Sequence, residues 1–174
     1  MTNAAEDRTL ILLRHSKAEQ GGYDRDHERE LTDRGHRDAR AAGAWLHEQG
    51  IGVDEVLCST STRTRQTAEG VWHGGCPEAD IRHESRIYNA TPDRLLAVVR
   101  DADPDANVVM VVGHAPGIPI LASLLADGDG DDEAHERLSE GYPTTGLAVL
   151  SYAGHWGDLS WGAATLEDFV VPRG

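Results

Sequence analysis

Four side chains in this sequence have the chemistry to grip an oxyanion and attack it: Arg14, His15, Arg63 and His114. A guanidinium presents planar forks of N–H donors that match the geometry of anionic oxygens. A neutral imidazole has one bare, nucleophilic nitrogen, while its other nitrogen donates a hydrogen bond, here expected to a backbone carbonyl. The arginine and histidine at positions 14 and 15 directly follow the apolar run Thr9 to Leu13. Val108 to Val112 is a second such run and leads into Gly113-His114-Ala115-Pro116-Gly117. Asp54 to Ser59 reads as a third strand with a shorter apolar centre, Val56 to Cys58, and is followed by Thr60-Ser61-Thr62-Arg63. Apolar runs without turn residues read as strands buried on both faces. Ligands of open α/β sheets bind at the carboxyl ends of strands, so three strand ends deliver the four side chains to one region.

The segments between these strands carry helix signals. Thr32 is placed as an N-cap with Asp33 in the first turn; Ala42, Trp45, Leu46 and Gln49 follow at helical spacing, and Gly50 ends the helix. A second helix begins near Ser61 or Thr62. Arg63 then lies in its first turn, where unpaired backbone N–H groups add positive potential toward an anion. Ile81 to Ile87 reads as a short strand or extended piece. Thr91-Pro92-Asp93 starts a third helix, buried through Leu95, Leu96, Val98 and Val99, and a fourth runs through Ile120, Leu121, Leu124 and Leu125. Leu147 to Tyr152 and Leu159 to Trp161 are expected as late strands, turned at Gly154. Alternating strands and helices predict an α/β fold with a largely parallel sheet. The polar segment Glu19 to Glu30 follows the first strand end as a loop able to cover the site; Arg25 and His27 read first as solvated loop charge, with reach to a bound anion as the alternative.

Composition narrows the partners. The chain has 174 residues with 16 Lys+Arg against 30 Asp+Glu, a formal charge of −14. One domain, residues 1–174 with an N-terminal tail over 1–8, suits that length. The acidic balance argues against nucleic acid or an anionic membrane surface as partner. No apolar run reaches membrane-spanning length and residues 1–8 have no apolar core of a signal peptide, so a cytoplasmic location is expected. Two cysteines, Cys58 and Cys76, are too few for a disulfide framework. Cys-x5-Arg chemistry fails from Cys58, because the arginine position holds Thr64. His73-Gly-Gly-Cys76 is half a metal site without a second half. The acidic stretch Asp127 to Glu133 fails as a calcium loop, with Asp132 at the sixth position and Leu138 at the twelfth; it reads as a surface loop.

The ordered set of motifs resembles a known family. Arg14-His15 after the first strand, Ser59-x3-Arg63-x3-Thr67-Ala68 in the middle and Gly113-His114 after a later strand look like the histidine phosphatase superfamily. Ser16-Lys17-Ala18 and the late Tyr142-Pro143-Thr144-Thr145-Gly146-Leu147 are similar to its small bacterial phosphohistidine phosphatase branch, the SixA type. The resemblance implies a phosphoglycerate mutase-like fold, a three-layer sandwich with helices on both faces of a mostly parallel sheet. It implies His15 as the nucleophile that forms a covalent phosphohistidine, with Arg14, Arg63 and His114 as phosphate donors. His114 is expected to be cationic. Ser16 and Ala115, each beside a histidine, are further substrate-binding candidates, although Ser16 stands where the family most often has glycine. Glu84 is the nearest candidate for a general acid, with a poor match in spacing.

The implied reaction is metal- and cofactor-independent hydrolysis of a phosphate-bearing substrate, foremost phosphohistidine in a protein. Small phosphoesters, mutase-like transfer, and a catalytically silent phosphoprotein-binding module are the alternatives.

Overall fold

The computed structural model describes residues 7–21 and 25–174. Strands β1 (Asp7–Arg14), β2 (Glu55–Cys58), β3 (Asp80–His83) and β4 (Val108–Gly113) come first. They are followed by β5 (Ala126–Gly130), β6 (Leu147–Ala153) and β7 (Ala164–Val170). All belong to one sheet in the order β3-β2-β4-β1-β6-β7-β5. β1, β4, β2 and β3 pair in parallel, as does β5 with β7; β6 runs antiparallel to both β1 and β7. The sheet is mostly parallel, as expected, with one reversed strand beside the centre.

Helices α1 (Asp33–Glu48), α2 (Thr62–His73), α3 (Pro92–Arg100), α4 (Gly117–Leu125) and α5 (Asp132–Glu140) cover it. The pleat of β1 shows how the layers arise, because successive side chains face opposite sides. Leu10 and Leu12 pack with Leu95, Val98, Val99, Ile118 and Leu121 from α3 and α4. Ile11 and Leu13 pack with Ala42, Leu46, Ala68 and Val71 from α1 and α2. The four β1 residues are fully buried, so cutting one back to alanine costs about 2–5 kcal/mol. This strand cannot move without breaking two cores, and it ends in Arg14.

The helix starts follow the sequence signals. Thr32, Ser61 and Thr91 are N-caps whose side chains accept from the N–H of Gly35, Thr64 and Arg94. α1 and α2 pack so closely that a Cβ on Gly43 would lie 2.0 Å from the Val71 carbonyl oxygen. Gln49 sits exposed at the C-cap of α1.

Two late expectations are corrected. Asp127 to Glu133 is no loop: residues 126–130 form the edge strand β5, and Asp131 caps α5. It has no apolar alternation to reveal a strand. What makes it one is pairing to β7, with Gly130 at φ +101° lying against the Leu166 carbonyl, where a side chain would not fit. Leu159 to Trp161 is not a strand either. Trp156–Asp158 forms a 3-10 turn, and β7 starts at Ala164. Trp156 and Leu159 enter the core from this turn, which gave the stretch its strand-like apolar content. Among the described residues, no helix is long and apolar enough to cross a membrane.

Candidate active site

The carboxyl ends of β1 and β4 are adjacent, because Arg14 pairs with Gly113. The His15 N–H continues that ladder by donating to the Gly113 carbonyl at 3.0 Å. This brings the His15 and His114 rings to 5.4 Å between centroids. His15 is 8% exposed, and its Nδ1 lies 2.7 Å from the Ser16 carbonyl oxygen. A carbonyl only accepts, so Nδ1 carries the proton and Nε2 keeps its lone pair. Burial pushes the His15 pKa down from 6.5 to about 4; the Ser16 bond opposes this, and Arg63, Arg14 and Arg29 add to it. At neutral pH the ring is an uncharged base.

His114 is held from two sides. Arg63 Nη2 donates to its Nδ1 at 3.3 Å, and its Nε2 is 2.8 Å from Ser59 Oγ. Since a guanidinium cannot accept, Nδ1 is bare and Nε2–H donates to Ser59. Burial, then Arg63 and His15, lower its pKa to about 3, against the opposing charge of Asp26. His114 is therefore neutral in this structure, not the cation expected from sequence: two buried bases beside an arginine cannot both hold protons.

The arginines are anchored but not used up. Arg63, 5% exposed, donates through Nη1 to the Asp26 carbonyl at 2.7 Å and through Nη2 to Asp26 Oδ2 at 3.1 Å. Arg14 donates through Nη1 to the Tyr142 carbonyl at 2.8 Å. The Nε of each is buried without a hydrogen-bond partner among the described residues. A buried, orphaned guanidinium donor costs free energy unless an anion takes it.

Supporting contacts come from both halves of the chain. The Ser16 N–H donates to Thr67 Oγ1, which in turn donates to the Arg63 carbonyl, locking the loop after His15 to α2. Ser16 Oγ is 2.7 Å from Thr145 Oγ1 and fully buried; its hydroxyl ties down the loop before β6. Thr145 sits at φ +64° and its N–H reaches the carbonyls of Arg14 and His15. Tyr142 Oη donates to the Leu12 carbonyl. Ala115 lines a cavity of about 200 Å³ with His114, Ile87, Asn89 and Pro116. A larger cavity, about 550 Å³, lies at the other end of α2 between Trp72, His73 and Ile81, and none of the four site side chains lines it.

Glu84 caps the 3-10 turn Ser85–Ile87, and both of its carboxylate oxygens are taken by Arg86, at 2.9 and 3.1 Å. Those bonds lower its pKa, which suits a structural carboxylate better than a proton donor. In the Glu19 to Glu30 segment, residues 22–24 lie outside the described ones. Arg25 faces solvent beside Glu28, and His27 bonds Thr60 Oγ1 at 2.8 Å. Sequence reasoning missed the two residues of this loop that matter most here. Asp26 grips Arg63, and Arg29 is close enough for its charge to act on His15. Nothing distinguishes them in the sequence from other charges of a polar loop. Cys58 is core, its thiol pushed up to about 12 by burial.

Comparison with known proteins gives this geometry a context. Residues 10–87 match the histidine phosphatase superfamily (branch 1). An uncharacterised protein of Mycobacterium tuberculosis is 43% identical over 162 residues, 92% of this chain and 100% of its own length. A solved structure from Nakamurella multipartitia that carries the name of phosphohistidine phosphatase SixA is 38% identical, covers 99% of this chain and 100% of its own, and superposes with a TM-score of 0.85. One from Agrobacterium tumefaciens under the same name is 30% identical over 95% of this chain and 99% of its own, with a TM-score of 0.76.

Proposed function

Given that the chain belongs to the histidine phosphatase superfamily, in its SixA-type branch, we propose that it hydrolyses phosphohistidine in a protein through a covalent intermediate on His15. It is a phosphatase, and its substrate bears phosphate. The observation that carries the proposed mechanism is the Nδ1–H bond of His15 to the Ser16 carbonyl, which leaves Nε2 as a bare nucleophile among arginines.

The Nε2 lone pair attacks phosphorus, and an N–P bond forms as the bond to the leaving group breaks. The leaving nitrogen keeps that electron pair. Its ring already holds a proton on the other nitrogen, so it departs as neutral imidazole. Water then attacks the phosphohistidine on His15; the new O–P bond forms, the pair of the old N–P bond returns to Nε2, and the water's extra proton passes to solvent. Charge spreads over three equatorial oxygens during each transfer, and positioned donors supply most of the catalysis. The orphaned Nε groups of Arg14 and Arg63 are suited to receive those oxygens. His114 starts neutral and takes up a proton as the phosphoryl dianion arrives, since a nearby anion favours the charged ring.

The test is turnover of a phosphohistidine peptide in excess chelator, with rapid quenching at neutral or alkaline pH. Wild type is expected to trap phosphate on His15 and His15→Ala to lose turnover. An alanine variant that keeps most of its rate, or an activity that needs a divalent ion, overturns the mechanism.

A further inference from the structure

Asp26 is the hub of the open side of the site. Its Oδ2 accepts from Tyr88 Oη at 2.5 Å and from Arg63 Nη2 at 3.1 Å. Its Oδ1 accepts from Arg29 Nε at 3.0 Å. The side chain remains 46% exposed, so this carboxylate is fixed in place beside Arg63 yet still open to solvent. The loop that carries it is closed at its base, where Ala18 bridges Leu31 and the Glu19 N–H donates to the Glu30 carbonyl at 2.8 Å. Its charge acts on His114, and Tyr88, which it binds, stands edge-on to the His114 ring at 5.5 Å and to His27 at 4.9 Å. The charged and titratable groups around it are thus Arg29, Arg63, Tyr88, His27 and His114.

Arg63 needs no carboxylate to stay charged, and a phosphate site gains nothing in anion affinity from a negative charge on its arginine. The arrangement makes sense through the other half of the substrate. An ester leaves as an alkoxide or phenolate, so negative charge builds on the departing atom, and a fixed carboxylate opposes it. An N-phosphorylated ring instead reacts in its protonated form, carrying positive charge until the N–P bond breaks, and the same carboxylate favours it. Glu84 is no ready acid for an ester, because Arg86 holds both of its carboxylate oxygens.

We propose that Asp26 is a specificity-determining residue, a fixed anion that selects phosphoramidate substrates with a protonated nitrogen leaving group over phosphoesters. This rests on the phosphohistidine reading above and deepens it. In the step concerned, the electron pair of the breaking N–P bond goes to the ring nitrogen and the ring keeps the proton it brought, so Asp26 neither gives nor takes a proton. It remains ionised throughout; its pKa is lowered to about 2, first by the Tyr88 bond.

The experiment compares kcat/KM for a phosphohistidine peptide and for an aryl phosphate in wild type, Asp26→Asn and Asp26→Glu. Asp26→Asn is expected to lower the peptide-to-aryl ratio tenfold or more, and Asp26→Glu to recover most of it. Equal loss on both substrates overturns the proposal, because a residue that only positions Arg63 serves both alike. Should the variants fail to fold, the wild-type ratio is read against salt: it should fall at about 1 M, where the Debye length is about 3 Å, and a constant ratio counts against the proposal. If wild type cleaves the aryl ester but not the peptide, the phosphohistidine reading fails and takes this one with it. Cleavage of both with an unmoved ratio in Asp26→Asn sinks this one alone.

Discussion

The two site histidines carry their protons on opposite sides, for reasons found in single neighbours. His15 is turned by a carbonyl and His114 by a guanidinium, and both are neutral bases at pH 7. One consequence can be measured without turnover. Sulfate does not titrate near neutrality, so its binding should draw a net proton into the site, read by calorimetry in buffers of different ionisation enthalpy. His114→Gln should abolish that uptake while keeping the fold. Glu84 gives a second expectation. With its oxygens on Arg86, Glu84→Gln should leave phosphohistidine turnover within a few-fold of wild type, and a loss of about 10²-fold or more, the size of general acid catalysis, would make it the proton donor. The four core side chains were legible in the sequence because each directly follows a strand or opens a helix. Asp26, Arg29 and Tyr88 were not, since they reach the site from loops whose path is set by tertiary packing.

Among the elements, α2 links stability to the site most directly. Its N-terminus carries Arg63 and its body lies against α1 with no room to spare at Gly43. Gly43→Ala sets a methyl against the Val71 backbone, which cannot rotate away as a side chain could. Overpacking of this kind costs about 1–3 kcal/mol. The variant is expected to lower Tm and, because α2 must shift, to lose rate per folded molecule as well; a normal Tm would show that the helices separate freely. The same elements mark where sequence patterns stop being informative. β1 and β4 announce themselves as unbroken apolar runs. β5, Ala-Asp-Gly-Asp-Gly, holds nothing a strand needs except a partner, and β7 was missed because a core-filling turn with Trp156 and Leu159 came first. Pairing across long distances along the chain, not local preference, makes these two strands.

The whole molecule inherits the charge state of its site. In the unfolded chain His15 and His114 return to about 6.5, while in the fold they titrate near 4 and 3. Between those values the unfolded state binds more protons, so stability rises with pH there and is lost as pH falls from about 6.5 toward 4. Asp26, lowered from 3.8 to about 2, adds loss of the same sign further down. Tm against pH should therefore decline on the acid side well before the carboxylates titrate. The paired substitution of His15 and His114 by Gln should flatten that limb, and an unchanged slope would place the acid sensitivity elsewhere. The central position of β1 has a further consequence, in time rather than space. Its ladders join Thr9 to Val108 on one side and Leu13 to Leu147 on the other. Contacts so distant along the chain close late and slowly. During synthesis His15 is made well before Tyr142 to Gly146, the loop whose Thr145 N–H braces its carbonyl. Until that loop is made His15 lacks its brace, and the site assembles only once β6 has joined β1.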